Sequence, residues 1–342
     1  MPNSIACSPV AAELRLRCRT VALWLGPTAS GKSDAALALA ERMGAEIISL
    51  DSAQVYRGLD IGTAKPDLAT RARIPHHLID LIEPTERYSV ARFARDLQQA
   101  LAAVEARGGW PLVVGGTMMY ANLLLQGMSA VPPTDPAVRE ELAAQAERNG
   151  LPALYAQLAA VDPALAARLS PGDRQRILRG LEVYRVTGRP LSAWQGERQP
   201  LVPGYGFAPM LWLPSDRAWL HARCAARLQA MWRAGFVSEV IALRERYALT
   251  LAHPSMRTVG YRQIFAGLDA GASETRMQEQ ALFATRQLAK RQITWLRSFA
   301  RSAVAVSIVH CDEPGAERKA AAWFERCLAR SHLDEPEPER SP

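Results

Sequence analysis

Cysteine is sparse. Five residues (Cys7, Cys18, Cys224, Cys311 and Cys327) are scattered over 342 positions, and no C-x-x-C spacing occurs. An odd, dispersed set argues against a disulfide framework and a structural zinc site, and fits idle thiols in a reducing compartment. Metal-ligating patterns are missing too. His76 and His77 are neighbours and so point apart, and no His-x-x-x-His or carboxylate cluster offers a protein-built cage. Long apolar runs are absent. The uncharged stretch 108–134 is broken by Gly115, Gly116, Asn122, Gln126 and Gly127, which excludes a membrane span. The run Val21 to Leu25, behind Arg15, Arg17 and Arg19, is too short for a signal peptide, so a cytoplasmic protein is expected. Disordered, collagenous and coiled-coil chains are excluded by 49% apolar and 22% charged residues.

What is present reads as about two domains' worth of chain. Residues 1–20 read as a loose leader. Val21 to Leu25 is a short apolar strand, Glu46 to Leu50 a second, His77 to Leu81 a third and Leu112 to Val114 a fourth, with helices between. Ser89 is the expected N-cap of a helix ending at Gly108. Strands alternating with helices predict an α/β fold, a parallel sheet core. From Pro132 to about Gln199 no good strand is legible, only segments rich in Ala, Leu and Arg, so 132–205 reads as an inserted helical domain. The core then spans 21–131 and 206–330. It resumes with a strand from Phe207 to Leu213, helices between Ser215 and Tyr247, a long helix from Ser273 to Ser302, a strand over Val304 to Ile308 and a helix from Pro314 to Ala329. The tail 331–342 is polar, proline-rich and expected to be disordered.

The most specific local feature is Gly26-Pro27-Thr28-Ala29-Ser30-Gly31-Lys32-Ser33, a G-x-x-x-x-G-K-[ST] phosphate loop between a strand and a helix. Gly26 and Gly31 let backbone N–H groups turn inward on a diphosphate, and the helix N-terminus adds positive potential. Lys32 supplies a mobile charge, and the Ser33 hydroxyl is the candidate ligand for Mg²⁺. Such a loop alone fits an ATP-binding kinase or nucleotide hydrolase. Those enzymes usually hold Mg²⁺ with an Asp at the end of another buried strand, yet the candidate strand ends in Gly115-Gly116-Thr117. The carboxylate at a strand tip is instead Asp51. In a parallel sheet that tip shares an edge with the loop, so Asp51 is either a base beside the diphosphate or, more plainly, a cap or a ligand of metal-bound water.

Charge is uneven within a net +7. Between Arg257 and Arg301 stand eight cations and three acids (Asp269, Glu274, Glu279). At 100° per residue Arg286, Lys290, Arg297 and Arg301 form one stripe, with Leu288, Trp295 and Phe299 roughly opposite. This predicts a helix with an apolar face on the core and a basic ridge toward a phosphate backbone or diphosphate. Arg174, Gln175, Arg176 and Arg179 make a second cluster, behind Asp173 as a cap. Basic surfaces on both domains predict a groove for a folded RNA stem, and a monomer suits a groove gripping one stem-loop.

The loop GPTASGKS together with DSAQVYRGLDIGTAKP (51–66), PHHLID (75–80), LVVGGTMMY (112–120), RQRILRGLEVY (174–184), SMRTVGYRQ (255–263) and ATRQLAKRQITWLR (284–297) resembles the bacterial tRNA dimethylallyltransferases, from about Val21 to Ile308. The resemblance implies a nucleoside-kinase-like core with a helical insert, and Mg²⁺ as cofactor. It implies transfer of a dimethylallyl group from its diphosphate to N6 of the adenosine 3′ of the anticodon, with that adenine flipped into a channel. It makes Asp51 the base, lines the adenine pocket with Asp51, Ser52, Ala53 and Gln54, and gives the diphosphate to Thr28–Ser33 with Arg227. It assigns tRNA contact to Thr117, Arg139, Gln175, Arg176, Ile177, Leu178 and Arg179. It adds Arg257, Thr258, Val259, Gly260, Tyr261 and Arg262, and Lys290, Arg291, Gln292, Ile293, Thr294, Trp295, Leu296 and Arg297. A small-molecule kinase using ATP and a non-catalytic RNA-binding module with a vestigial loop are the alternatives. Phosphoryl transfer without RNA would mark the first, and RNA binding without transfer the second.

Overall fold

The computed structural model describes residues 19–333 except 134, 195, 197, 303 and 304. The expected leader up to residue 18, the tail from residue 334 and Val304 lie outside the described residues. Four strands open the fold: β1 (Arg19–Leu25), β2 (Ala45–Leu50), β3 (His76–His77) and β4 (Trp110–Gly115). Later in the chain come β5 (Tyr205–Leu213) and β6 (Ser307–His310). Together they form one parallel sheet in the order β3-β2-β4-β1-β5-β6. The apolar runs in β1 and β2 have no polar alternation because helices cover both faces.

The chain divides into two compact units, 126–201 and the remainder. In the larger unit, helix α1 (Lys32–Met43) follows the phosphate loop, and α2 (Val90–Ala106) is capped by Ser89, whose side chain accepts from the Arg92 N–H. Farther on come α3 (Arg217–Arg233), α4 (Phe236–Tyr247), α5 (Tyr261–Asp269), α6 (Glu274–Ala300) and α7 (Ala316–Leu333). Two apolar cores result. One packs Trp24, Trp212, Trp323 and Phe324 between the sheet, α1 and α7; the Trp24 and Trp212 rings lie 5.0 Å apart. The other packs Val55, Tyr56, Leu59 and Ile82 against Trp232, Phe236, Tyr261 and Phe265.

The smaller unit is helical and holds its own core of Leu142, Leu154, Leu158, Leu165, Ile177 and Leu181. Its boundaries differ from the expected 132–205. Met128–Ser129 pairs antiparallel with Arg198–Gln199, which draws residues 126–131 into the unit and gives it two short strands the sequence did not suggest. At the other end Tyr205 already belongs to β5.

Other expectations shift as well. Arg19 and Thr20, expected in the leader, are the first rungs of β1. The third strand is only two residues long, because Leu78 and Asp80 take left-handed φ of 62° and 56°. The last strand begins at Ser307, paired to Met210, and α7 continues to Leu333, beyond the expected start of the tail. No helix among the described residues is long and apolar enough to cross a membrane. Cys224, Cys311 and Cys327 form no disulfide among the described residues.

Candidate active site at the strand tips

The register brings the functional loops to one edge. Leu25 of β1 stands opposite Gly115 of β4, and Leu50 of β2 opposite the same Gly115 from the other side. The residues that follow are therefore neighbours: the phosphate loop after β1, Asp51 after β2, and Gly116-Thr117 after β4. The loop Gly26–Ser33 runs into the N-terminus of α1. Gly31 supplies a left-handed φ of 78° that a side chain would resist.

Three loop carbonyls are anchored. The Ser30 hydroxyl donates to Pro27 O at 2.9 Å, Arg223 Nε to Ala29 O at 2.8 Å, and Trp212 Nε1 to Ser30 O at 3.1 Å. A trans peptide points its carbonyl and the following N–H in opposite directions. Anchoring the carbonyls of 29 and 30 thus turns the N–H groups of Ser30 and Gly31 away from those anchors, the arrangement an anion nest needs. The Thr28 N–H is already occupied: it donates to Gln292 Oε1 at 2.9 Å, while Gln292 Nε2 donates to Gly116 O at 2.8 Å. A Cβ at Gly116 would meet Gln292 Nε2 at 2.6 Å and Gly26 O at 3.1 Å, so a side chain there would displace the Gln292 amide.

Lys32, Ser33, Asp51, Gln54 and Arg227 line one cleft, whose other wall is apolar (Leu228, Met231, Phe236, Leu288). Lys32, Ser33 and Arg227 also line a second opening, together with Pro27, Ala29, Ser30 and Gly31 of the loop and Arg223. Burial pulls the Lys32 ammonium down to about 8, with Arg227 pushing the same way and Asp51 and Asp34 opposing. Burial likewise lowers Arg227. Two desolvated cations and one carboxylate leave the cleft with positive charge to spare, so it favours a polyanion.

Asp51 Oδ1 accepts the Ala53 N–H at 2.8 Å, and Oδ2 has no partner among the described residues. Beside it the Ser52 N–H donates to Thr117 Oγ1 at 3.0 Å. Gln54 is held by the Ser49 hydroxyl at 2.8 Å and reaches Thr63 O at 3.3 Å.

The segment after Gln54 is tied from a distance. Glu239 on α4 accepts the N–H groups of Asp60 (3.2 Å), Ile61 (2.7 Å) and Gly62 (3.4 Å), and also the Tyr261 hydroxyl. Lys65 is buried and donates to Tyr56 O, Asp60 and Asp80. Neither Glu239 nor Arg223 stood out in the sequence. Arg223 did leave a signal, lying four residues before Arg227 on the same face of α3.

The remaining sequence-assigned residues divide three ways. Thr258, Val259 and Gly260 line the cleft, and Arg257, Arg262, Lys290, Arg291, Thr294 and Arg297 are exposed. Ile177, Leu178, Tyr261 and Leu296 are buried in apolar cores, so their side chains pack rather than meet an outside ligand. Gln292 is buried against the phosphate loop, and Ile293 is half-buried against Leu220 and Ala289.

The seated face of α6 is also rotated from expectation. Ala289, Gln292, Leu296 and Phe299 are buried, whereas Trp295 is 40% exposed, Leu288 faces the cleft and Arg286 is half-buried. In the helical unit four arginines of the expected basic surface pair with three acids, which leaves one positive charge over. Arg139 and Arg179 both pair with the buried Glu182, at 3.4 and 3.0 Å, Arg174 with Glu147 at 2.8 Å and Arg176 with Asp173 at 3.5 Å; Gln175 is exposed.

A model of the IPP transferase family matches residues 54–299, and one described as isopentenyl transferase matches 19–74. The chain belongs to the IPP transferase family. It is 52% identical over 312 residues to a tRNA dimethylallyltransferase of Burkholderia multivorans, covering 90% of this chain and 95% of that one. It is 52% identical over 313 residues to the tRNA dimethylallyltransferase of Burkholderia thailandensis, covering 91% and 95%. Among solved structures, the tRNA isopentenylpyrophosphate transferase of Bacillus halodurans is 30% identical with a TM-score of 0.65, over 92% of this chain and 98% of that one. A eukaryotic dimethylallyltransferase acting on tRNA is 25% identical with a TM-score of 0.79, over 95% and 82%. The IPP transferase match takes in Gln54 of the cleft, the Glu239 anchor and most of α6, while the shorter isopentenyl transferase match takes in the phosphate loop and Asp51.

Proposed function

We propose that this chain transfers a dimethylallyl group from dimethylallyl diphosphate to N6 of the adenosine 3′ of a tRNA anticodon, with Asp51 as general base. The observation that carries this reading is that Asp51 and Lys32 line one cleft while the β4 tip offers glycine instead of a carboxylate. A phosphate loop without the usual metal-binding Asp suits phosphates that depart rather than phosphates that are transferred.

The allylic C–O bond breaks, its electron pair leaves on the diphosphate, and the new C–N bond forms at the exocyclic nitrogen. Lys32, Arg227 and the loop N–H groups are preorganised for the charge that develops on the leaving oxygen. The amine is a weak nucleophile, its lone pair delocalised into the ring, so alignment beside the allylic carbon counts heavily. The free Oδ2 of Asp51 accepts the proton lost from nitrogen. The apolar wall of Leu228, Met231, Phe236 and Leu288 suits a five-carbon chain. The target adenine must first leave its stack, at a cost of a few kcal/mol that is least in a loop.

The donor set also fits Mg²⁺. Among the described residues no group of three acidic, His or Cys side chains could cage a metal. Ser33 would hold the ion through its hydroxyl at the start of α1, a hard oxygen donor of the kind Mg²⁺ prefers. When bound there, the ion supplies further neutralisation of the leaving group.

The chain, labelled dimethylallyl diphosphate, Mg²⁺ and total tRNA should together render the label acid-precipitable. Asp51→Asn should cut turnover by about 10²- to 10⁴-fold while diphosphate binding persists. Near-normal transfer by that variant removes Asp51 as the base, and no transfer by the unaltered chain rejects the reading.

A further inference from the structure

The apolar wall of the cleft has a definite end. Along α3 the lining changes from charge to hydrocarbon. Arg227 lines it with Lys32, Leu228 follows, and Met231 lies one turn past Arg227, about 6 Å along the axis. Gly235 then turns the chain with a left-handed φ of 95°, and Phe236 opens α4 with its ring in the lining. Leu228, Met231 and Phe236 are buried and belong to the second apolar core as well. At this end the cleft therefore stops against packed hydrocarbon.

The Phe236 ring is clasped at its tip. A Cβ at Gly62 would meet ring Cε2 at 2.2 Å and Cζ at 2.3 Å, and a Cβ at Gly260 would meet Cε1 and Cζ at 2.8 Å. Backbone from two remote segments thus closes on the ring where only glycine leaves room. Tyr261 and Trp232 meet it edge-on, with centroids 4.9 and 5.7 Å away. Glu239, three residues after Phe236 on the same helix, accepts the Gly62 N–H and the Tyr261 hydroxyl, so one carboxylate ties both jaws to the helix that carries the ring. A ring packed this way cannot yield to a longer ligand without displacing backbone.

We propose that Phe236 is the stop that limits the donor to five carbons, with Gly62 and Gly260 as its backstop, so that allylic diphosphates of ten carbons are rejected. This rests on the function proposed above. The diphosphate is fixed at the Lys32 end, and the carbons added in a longer donor extend along the wall toward Phe236. Reactivity does not discriminate between the two donors. In both, the same allylic C–O bond breaks, the electron pair leaves on the diphosphate, and the C–N bond forms at the same nitrogen. Selection has to come from shape, and a clash against the longer donor supplies it.

The test gives the full chain tRNA, Mg²⁺ and either dimethylallyl or geranyl diphosphate, and measures kcat/KM for each donor. The unaltered chain should transfer the ten-carbon group negligibly, and geranyl diphosphate should inhibit dimethylallyl transfer no better than inorganic pyrophosphate does. Phe236→Leu should raise the geranyl-to-dimethylallyl ratio of kcat/KM roughly 100-fold, and Phe236→Ala should raise it further. Melting curves check that each variant folds; Phe236→Leu, which keeps an apolar side chain in the clasp, serves where the alanine variant does not. Leu288 lies one turn from Gln292 and so near the phosphate loop. Leu288→Ala should therefore lower kcat/KM for dimethylallyl diphosphate without admitting the longer donor. Four outcomes overturn the inference: transfer of both groups alike by the unaltered chain, its inhibition by geranyl diphosphate well below the pyrophosphate concentration needed, a folded Phe236→Leu variant as selective as the unaltered chain, or equal admission of geranyl by Leu288→Ala. A raised KM for tRNA in Phe236→Leu with unchanged donor preference sets the ring against the adenine and overturns it too. An unaltered chain that transfers no dimethylallyl group to tRNA instead overturns the function on which it rests.

Discussion

Replacing Gln292 with Ala separates two roles for one residue. The family resemblance places Gln292 in an RNA-contacting run, but its side chain is only 8% exposed and bridges Thr28 N–H to Gly116 O. Truncation orphans one donor and one acceptor. Each unsatisfied buried group costs about 1–3 kcal/mol. Because the cleft is open enough for water to enter, the lower end applies, and about 2 kcal/mol is expected in all. With roughly 2–4 °C lost per kcal/mol in a large domain, the melting midpoint should fall by about 4–8 °C.

The loss reaches the chemistry as well. Without the amide clamp the Thr28 N–H and the first half of the phosphate loop are no longer fixed to the β4 tip, so KM for dimethylallyl diphosphate should rise several-fold. RNA affinity should change little, because the side chain is not on the surface. Asn, one methylene shorter, cannot span both partners and should behave like Ala. Thermal unfolding by circular dichroism, steady-state kinetics in each substrate and RNA filter binding measure the three effects. A variant that melts with the unaltered protein and loses only RNA affinity would refute the bridge.

Two further outcomes follow from the same geometry. Lys32 titrates near 8 in the folded chain, below the 10.5 of a free side chain, so the folded state favours its neutral form. Its burial therefore weakens the fold below about pH 8, and that penalty fades as pH rises from about 8 to 10.5. Diphosphate needs the ammonium, so the rise in melting temperature on adding pyrophosphate should be larger at pH 7 than at pH 9.5. An equal rise at both would refute this, and Lys32→Met should abolish the dependence. Glu239→Ala removes the acceptor of three backbone N–H groups and the Tyr261 hydroxyl. A loss of about 2–4 kcal/mol in denaturant stability and faster proteolysis within residues 60–65 are expected; unchanged proteolysis would show the segment is held by Lys65 alone.

The phosphate loop was legible because its signal is local: spacing, a glycine for a left-handed turn, and a flanking strand and helix. Asp51 was legible because parallel topology sends strand ends to one edge. What escaped was set by partners far along the chain. Glu239 lies about 180 residues from the backbone it holds, and nothing in FVSEVIALRERY marks it. The third strand looked longer because HLIDL is apolar; Asp80 instead turns out of the sheet to meet Lys65 and Arg71 at 2.6 and 2.7 Å. The insert's arginines looked free because Glu147 and Glu182 are remote in sequence or read as surface charge. Trp295 was assigned to the seated face of α6 because that face was set opposite a stripe of basic residues, which misses a buried glutamine.

That glutamine explains why a neutral amide suits its position. A carboxylate in its place would accept from Thr28 but repel the Gly116 carbonyl, and would compete with the diphosphate for Lys32. An ammonium would donate to Gly116 but oppose the Thr28 N–H. Only a group with one acceptor and one donor satisfies both partners without adding charge beside the leaving group. The same helix carries Thr285 and Leu288 into the cleft. At 1.5 Å per residue its 27 residues make one stiff element about 40 Å long. Because it both lines the cleft and, through Gln292, holds the phosphate loop, this one stiff element fixes the distance between them, the quantity that the proposed in-line displacement is most sensitive to.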